Sequence, residues 1–387
     1  MGLLKKRRAP ATVAAQLART ADPIPWNAGH SRHAPLSLAE LRLYEGLREH
    51  IPVIDAAIQK IVRLVGDFTV GCENPAAERE LRQFCEDVPA GASGRGLNLF
   101  MAAYLDQLLT YGNALGEILP ARDGSGIAGL YHAPLERVEV KQGKDPLAPE
   151  ILLRSVGGSK PLRRPELILF SALNPPAGEV TGVSLLRGLP FVSGILMKIF
   201  QSIGQNFERM GNLRYAVTYK PSGDLMDKAN ARERAAAIAR EWSDGMAAAK
   251  HGQIKDFISV GDVDIRVIGA DNQIIDSEVP VRQLLEQIVA KLSLPPFILG
   301  FSWSTSERMS TQQADILTSE LEYYRRVITP VILKICRVFL VSRGYFEQPE
   351  VTWSDINLQD AVELAKARLY DAQAETLYPG IAEERSE

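Results

Sequence analysis

The stretch "LSLPPFILGFSWSTSERMSTQQADI", Leu292 to Ile316, decides how the chain is read. An apolar run meets the pair Pro295-Pro296. Serines and threonines then crowd around Trp303, and a long amphipathic pattern follows. "GFSWS" approximates a G-x-S-x-G nucleophile elbow centred on Ser302, with Ser304 where the last glycine should stand. An elbow needs a strand, a sharp turn and a helix, and the two prolines interrupt that approach. The alternative is helix capping. Ser304 with Glu307 forms S-x-x-E immediately before apolar periodicity.

The pattern after the loop predicts a helix from about Ser304 to Ser342, with a stripe through Met309, Ile316, Leu321, Tyr324, Ile328, Ile332, Ile335 and Phe339. Pro330 lies inside it and predicts a bend within a turn of that residue. Before the loop, "VPVRQLLEQIVAKLSL" predicts another helix. Further upstream, Val183 to Asn212 reads as strongly helical. Its main stripe is Leu185, Leu189, Val192, Leu196, Ile199, Ile203, Phe207 and Met210, with Phe191, Ile195 and Phe200 as a second apolar flank. A helix apolar on two sides must be buried on two sides. Gly188, Gly194 and Gly204 are unfavourable in a helix interior unless another helix packs close.

Between these two helices lies a compact α/β insert. "LRYAVTYKP", "KDFISVG", "VDIRVIG" and "QIIDS" read as strands, and "DKANARERAAAIAREWSDGMAAAK" as a helix. On the N-terminal side, Leu36 to Val65 is helical and starts at the capping box Ser37/Glu40. "DVPAGASGRG" reads as a loop and "LNLFMAAYLDQLLTYG" as a helix. From Asn113 to Gly182 the pattern is strands and loops, with Asp123-Gly124 as a hairpin turn. The tail from Trp353 reads as polar and helical. Residues 1–35 form a basic arm containing "KKRR", with Pro23 and Pro25 against a long helix.

Composition narrows the function classes. The chain has 387 residues, 46% hydrophobic and 24% charged, which is globular composition. The net charge of -3 is not that of a sequence-reading DNA binder. Three cysteines, Cys72, Cys85 and Cys336, fit a reducing compartment better than a disulfide scaffold. "VITPVILKICRVFLV" is interrupted by Lys334 and Arg337 and is too short to span a bilayer. "GSGIAG", at Gly124, Gly126 and Gly129, matches a dinucleotide fingerprint, but Pro134 and "LERVEV" follow where a phosphate-binding helix is required. His30 and His33 lack companion ligands. No catalytic, cofactor or metal constellation stands.

The order of elements resembles the portal proteins of tailed double-stranded DNA bacteriophages. Four segments carry the resemblance, in the family's order: "LLTYGNALGEI" with Gly112 and Asn113, "GLYHAPLERVEV", "GEVTGVSLLRGL" with Gly182, Ser184 and Leu186, and "LSLPPFILG", where Leu294 stands at a position commonly valine. The resemblance runs from about Leu36 to the C-terminus. It implies a mainly helical α+β fold of wing, stem, clip and short crown, assembled as a cyclic ring, usually a dodecamer. On that frame, 36–182 is the wing, 183–212 and 276–294 the stem helices, 213–275 the clip and 295–306 the tunnel loop. Residues 307–345 are the long kinked helix, and 346–387 a short crown. Implied stem-packing residues are Leu189, Val192, Leu196, Ile199, Ile203 and Phe207.

The implied channel residues are Phe301, Ser302, Trp303, Ser304, Thr305 and Ser306. The ring would sit at the capsid vertex of a virion and be built in host cytoplasm. DNA would pass through it non-specifically. Terminase, a head-tail adaptor, and the major capsid and scaffolding proteins would be its partners, with no membrane, no cofactor and no enzymatic activity. The rival expectations are a serine hydrolase centred on Ser302 and a membrane-surface or adaptor protein using the basic arm.

Overall fold

A computed structural model describes residues 36–124, 126–145, 149–155, 157–211, 214–220, 225–249, 262–268, 277–301 and 307–356. In chain order these form α1 (Leu38–His50), α2 (Pro52–Val65), β1 (Phe68–Gly71), α3 (Pro75–Asp87), β2 (Pro89–Ala90), β3 (Gly94–Arg95), α4 (Leu97–Tyr111), β4 (Asn113–Pro120) and β5 (Ile127–His132). There follow β6 (Val138–Gln142), β7 (Pro149–Leu153), β8 (Lys160–Pro161), β9 (Ile168–Ala172), α5 (Leu189–Gly211), β10 (Arg214–Lys220), α6 (Leu225–Ala249), β11 (Asp262–Ile268), α7 (Glu278–Lys291), α8 (Glu307–Ser342) and β12 (Glu350–Trp353).

α4 is the centre of the body. Phe100, Met101, Tyr104, Leu105, Leu108 and Leu109 are all buried, because α1, α2, α3, α8 and a sheet surround the helix. That sheet has five strands in the order β3-β2-β5-β4-β9. β4 pairs antiparallel with β5 and with β9, and the β4–β5 hairpin turns at Asp123-Gly124, as expected. β6, β7 and β8 form a second, smaller sheet. Ser37 caps α1 by accepting the amide of Glu40 at 3.2 Å, as the sequence predicts. Arg48 then ties α1 to its neighbours through Asp55 at 2.7 Å and Asp106 at 2.6 Å.

Several expectations are corrected. The stretch read as a helix from Val183 becomes one only at Leu189, because Ser184 is held by other partners and Gly188 takes φ +91. Pro190 therefore sits in the first turn, where a missing N–H is harmless. "DVPAGASGRG" is a small hairpin, β2–β3, rather than a plain loop. α3 goes unread in the sequence; Asn74 caps it by accepting the amide of Ala76 at 2.9 Å. Trp353, expected to open a helical tail, instead ends β12, which pairs antiparallel with β1, Trp353 opposite Phe68. The buried Arg325 fastens this pair to the body. It donates to Val65 O at 2.6 Å and Ser354 O at 2.7 Å, and its guanidinium lies 5.0 Å over the Trp353 ring.

α8 is one helix across Pro330. On its stripe Leu317 replaces Ile316, which is 65% exposed. Leu317, Leu321, Tyr324 and Ile328 follow four-, three- and four-residue steps on one face. Ile316, five residues before Leu321, lies well off that face at 100° per residue. Strand "KDFISVG", all of "QIIDS" but Ser277, the pair His30/His33 and the tail beyond Ile356 lie outside the described residues.

Candidate functional site: the helix-pair junction

Gly112 and Asn113 of one motif meet Gly182, Ser184 and Leu186 of another in one buried knot where the sheet hands the chain to α5. Asn113, the first residue of β4, is 1% exposed. Its side-chain oxygen accepts the Gly182 amide at 2.8 Å, and its side-chain nitrogen donates to Gly182 O at 3.4 Å. Ser184 donates to Thr110 O at 2.6 Å and accepts the Leu186 amide at 2.9 Å. Two further bonds, Leu173 N to Gly112 O and Val183 N to Leu173 O, complete the weave.

Both glycines are required by contact. A Cβ on Gly112 would collide with the Val183–Ser184 backbone, and one on Gly182 with Gly112 O and Leu173 N. Gly112 also ends α4 in the left-handed region at φ 72, the usual helix C-terminal solution. The knot is fully bonded and closed. It fixes where α5 leaves the body and offers no group for chemistry.

α5 and α7 form a pair. Leu189 and Leu196 at the start of α5, and Ile288, Leu292 and Leu294 at the end of α7, belong to the main core. The two helices therefore run in opposite directions, rooted at the same end. The β10–α6–β11 insert hangs from their far ends, with β10 and β11 paired antiparallel, Arg214 opposite Ile268. Along the expected stripe of α5, Val192 packs half-buried against the core and Ile199 and Ile203 are intermediate, but Phe207 is 61% exposed. The second flank is open along its length: Phe191 is 52% and Phe200 51% exposed, and Ile195 is exposed as well. Among the described residues the expectation that a helix packs against Gly194 and Gly204 is not met, since a Cβ there would touch nothing.

After α7, Pro295 and Pro296 lead into a single 3-10 turn, Pro296–Leu299, and Gly300 reverses the chain at φ 82. Ile298 and Leu299 pack against the core, and Phe301 is half-buried. Ser302, Trp303, Ser304, Thr305 and Ser306 lie outside the described residues. The chain thus approaches Ser302 from a 3-10 turn, not from the strand that a nucleophile elbow needs.

Among the ionisable groups elsewhere, His132 and Lys334 are shifted by burial. Burial pushes His132 down to about 4, and its ring stacks on Phe100 at 4.2 Å between centroids. It is a neutral, half-buried ring at physiological pH. Burial lowers Lys334, whose ammonium donates to Ile168 O at 2.7 Å beside the groove that Pro330 lines. Among the described residues no group of three His, Cys, Asp or Glu side chains could hold a metal ion, and no helix is long and apolar enough to cross a membrane.

No family model matches the chain, and none of the curated proteins matches it. Solved structures do. The neck of a native gene transfer agent (GTA) particle computed with C12 symmetry matches at TM-score 0.59 and 15% identity, over 83% of this chain and 85% of that one. The neck of an empty GTA particle computed with C6 symmetry matches at TM-score 0.60 and 16% identity, over 90% of this chain and 93% of that one. The chain has the fold of a particle-neck protein. An HK97 family phage portal protein from Corynebacterium diphtheriae matches more loosely, at TM-score 0.40 and 13% identity over 79% of this chain and 93% of that one. The likeness to the two GTA necks is one of fold. Motif reading found the knot residues Gly112, Asn113, Gly182, Ser184 and Leu186 without showing that they touch. It missed Leu173 and Thr110, which take part through backbone groups and leave no mark in composition.

Proposed function

We propose that the chain is a portal, the head-tail connector channel of a tailed phage or phage-like particle. It works as a cyclic ring at one capsid vertex through which double-stranded DNA is packaged and ejected. The observation that carries this reading is the open apolar flank of α5, on a chain whose fold-mates sit in necks of cyclic symmetry. Phe200 and Phe207 are exposed in a single chain. Burying one such side chain is worth roughly 1.5–3 kcal/mol. A neighbouring copy supplies that burial. One face of each subunit meets a different face of the next, and such heterologous contacts close into a ring.

On this reading α5 and α7 are the stem. The insert carrying β10, α6 and β11 is the clip offered to terminase and the head-tail adaptor. The body around α4 is the wing, placed against capsid and scaffolding proteins. Phe301 to Ser306 form the loop facing DNA. The mild negative charge fits a channel in which DNA slides, since dense Lys/Arg contacts would hold it by counterion release.

Negative-stain microscopy of the purified chain tests the reading, alone and with scaffolding and capsid proteins. Closed rings, usually twelve-fold, are expected. A chain that stays monomeric at high concentration in both preparations overturns it.

A further inference from the structure

The five-stranded sheet ends at β9, which pairs with β4 on one side. On its other edge, Ile168 O accepts the Lys334 ammonium at 2.7 Å. Alternate residues of a strand turn their backbone groups the same way. Phe170 and Ala172 therefore face outward with Ile168. Leu115, opposite Phe170, agrees: it gives its N–H to Gln107 Oε1 at 2.8 Å and accepts the Ala133 amide at 3.0 Å, both away from Phe170. The outward N–H and C=O groups of Phe170 and Ala172 have no partner among the described residues. Along this edge runs a groove of about 870 Å³, which Ile168, Phe170 and Ala172 line. Ile151 of β7 walls it on one side, and Pro330 and Val331 of α8 on the other. An open strand edge beside an apolar groove can accept an extended segment as an added strand.

We propose that the chain's own N-terminal arm fills this groove, with "DPIPW", Asp22 to Trp26, added to the sheet as a sixth strand beside β9. The arm lies outside the described residues, but the point where it joins the body does not. Leu36 is buried in the small cluster against which Ile151, Ile168 and Phe170 pack, and all three line the groove. Arg154 holds the Leu36 carbonyl there at 3.0 Å. Trp26 lies ten residues before Leu36, an extended reach of about 33 Å, so the segment can lie along β9. Its prolines suit an edge strand. Pro23 and Pro25 are two residues apart, so both put their missing N–H on one side. With that side turned to solvent, Ile24 and Trp26 face β9 with complete backbone groups, at the same two-residue spacing as Phe170 and Ala172. The outward prolines then stop the sheet from pairing further. This placement does not depend on ring formation.

Hydrogen exchange of the purified full chain, resolved to single amides of β9, tests the pairing. The Phe170 and Ala172 amides should be protected. Ile24→Pro removes a paired N–H and should speed exchange at both by about tenfold, the loss of roughly one backbone hydrogen bond. Pro25→Ala changes only the outward side and should leave both rates as they are. Fast exchange at Phe170 and Ala172 in the unaltered chain, or equal effects of the two substitutions, overturns the proposal. A photo-crosslinking side chain in place of Trp26 identifies the occupant. With isotopically heavy and light chains mixed before assembly, links from position 26 to the β9–α8 groove should join heavy to heavy and light to light. Heavy-to-light links would give the groove to a neighbouring copy's arm, and an absence of links to it would leave it to another protein; either overturns the proposal. Ring formation, seen by microscopy on the same samples, tests the portal reading separately.

Discussion

Asn113 does at one position what a strand or helix does with repeated backbone bonds. Its amide satisfies both the N–H and the C=O of Gly182 in a site closed to water. Asn113→Ala leaves both groups buried without a partner. Leaving such groups unsatisfied costs roughly 2–4 kcal/mol in total. Denaturant unfolding of the variant should show a loss of that size; a loss below about 0.5 kcal/mol would mean that the knot is not closed as described. The residue was legible as a motif and illegible as a contact. Ser37 and Glu40 lie three residues apart, so local geometry alone predicts their bond. Asn113 and Gly182 lie 69 residues apart, so only the folded chain reveals that pair.

At the scale of elements, periodicity is the readable signal, because apolar spacing follows from the helical repeat itself. It located α4, α5, α7 and α8. It set the start of α5 too early, since Val183 to Gly188 continues the apolar pattern while its backbone is held by the knot. β12 escaped it because a four-residue strand takes its identity from its partner, β1, which is distant in sequence. The two-sided pattern on α5 was the most informative, since the structure of one chain leaves that second side open. Phe200→Glu combined with Phe207→Glu places two charges where the ring reading puts a neighbour. Both side chains are exposed in the single chain, so the unfolding temperature of unassembled protein should hardly change. Rings seen by microscopy should be lost. Rings that persist would place the subunit contact elsewhere on the surface.

At the scale of the whole assembly, we propose that the loop between the 3-10 turn and α8 is the part that meets DNA. Its entry is set by Gly300 and by Ile298 and Leu299 in the core, and α8 is established from Glu307. Its hydroxyls are neutral and hydrogen-bond weakly beside a phosphate backbone, which suits passage better than capture. Trp303 is the exception, as a large ring that either anchors the loop on a neighbouring copy or narrows the channel. Trp303→Ala removes that bulk and leaves the α5 flank intact. Rings should therefore assemble at wild-type yield, while packaged DNA per particle or its retention falls, measured by nuclease protection of purified particles. Loss of assembly would make Trp303 part of the subunit contact. Unchanged packaging and retention would remove this residue from the channel.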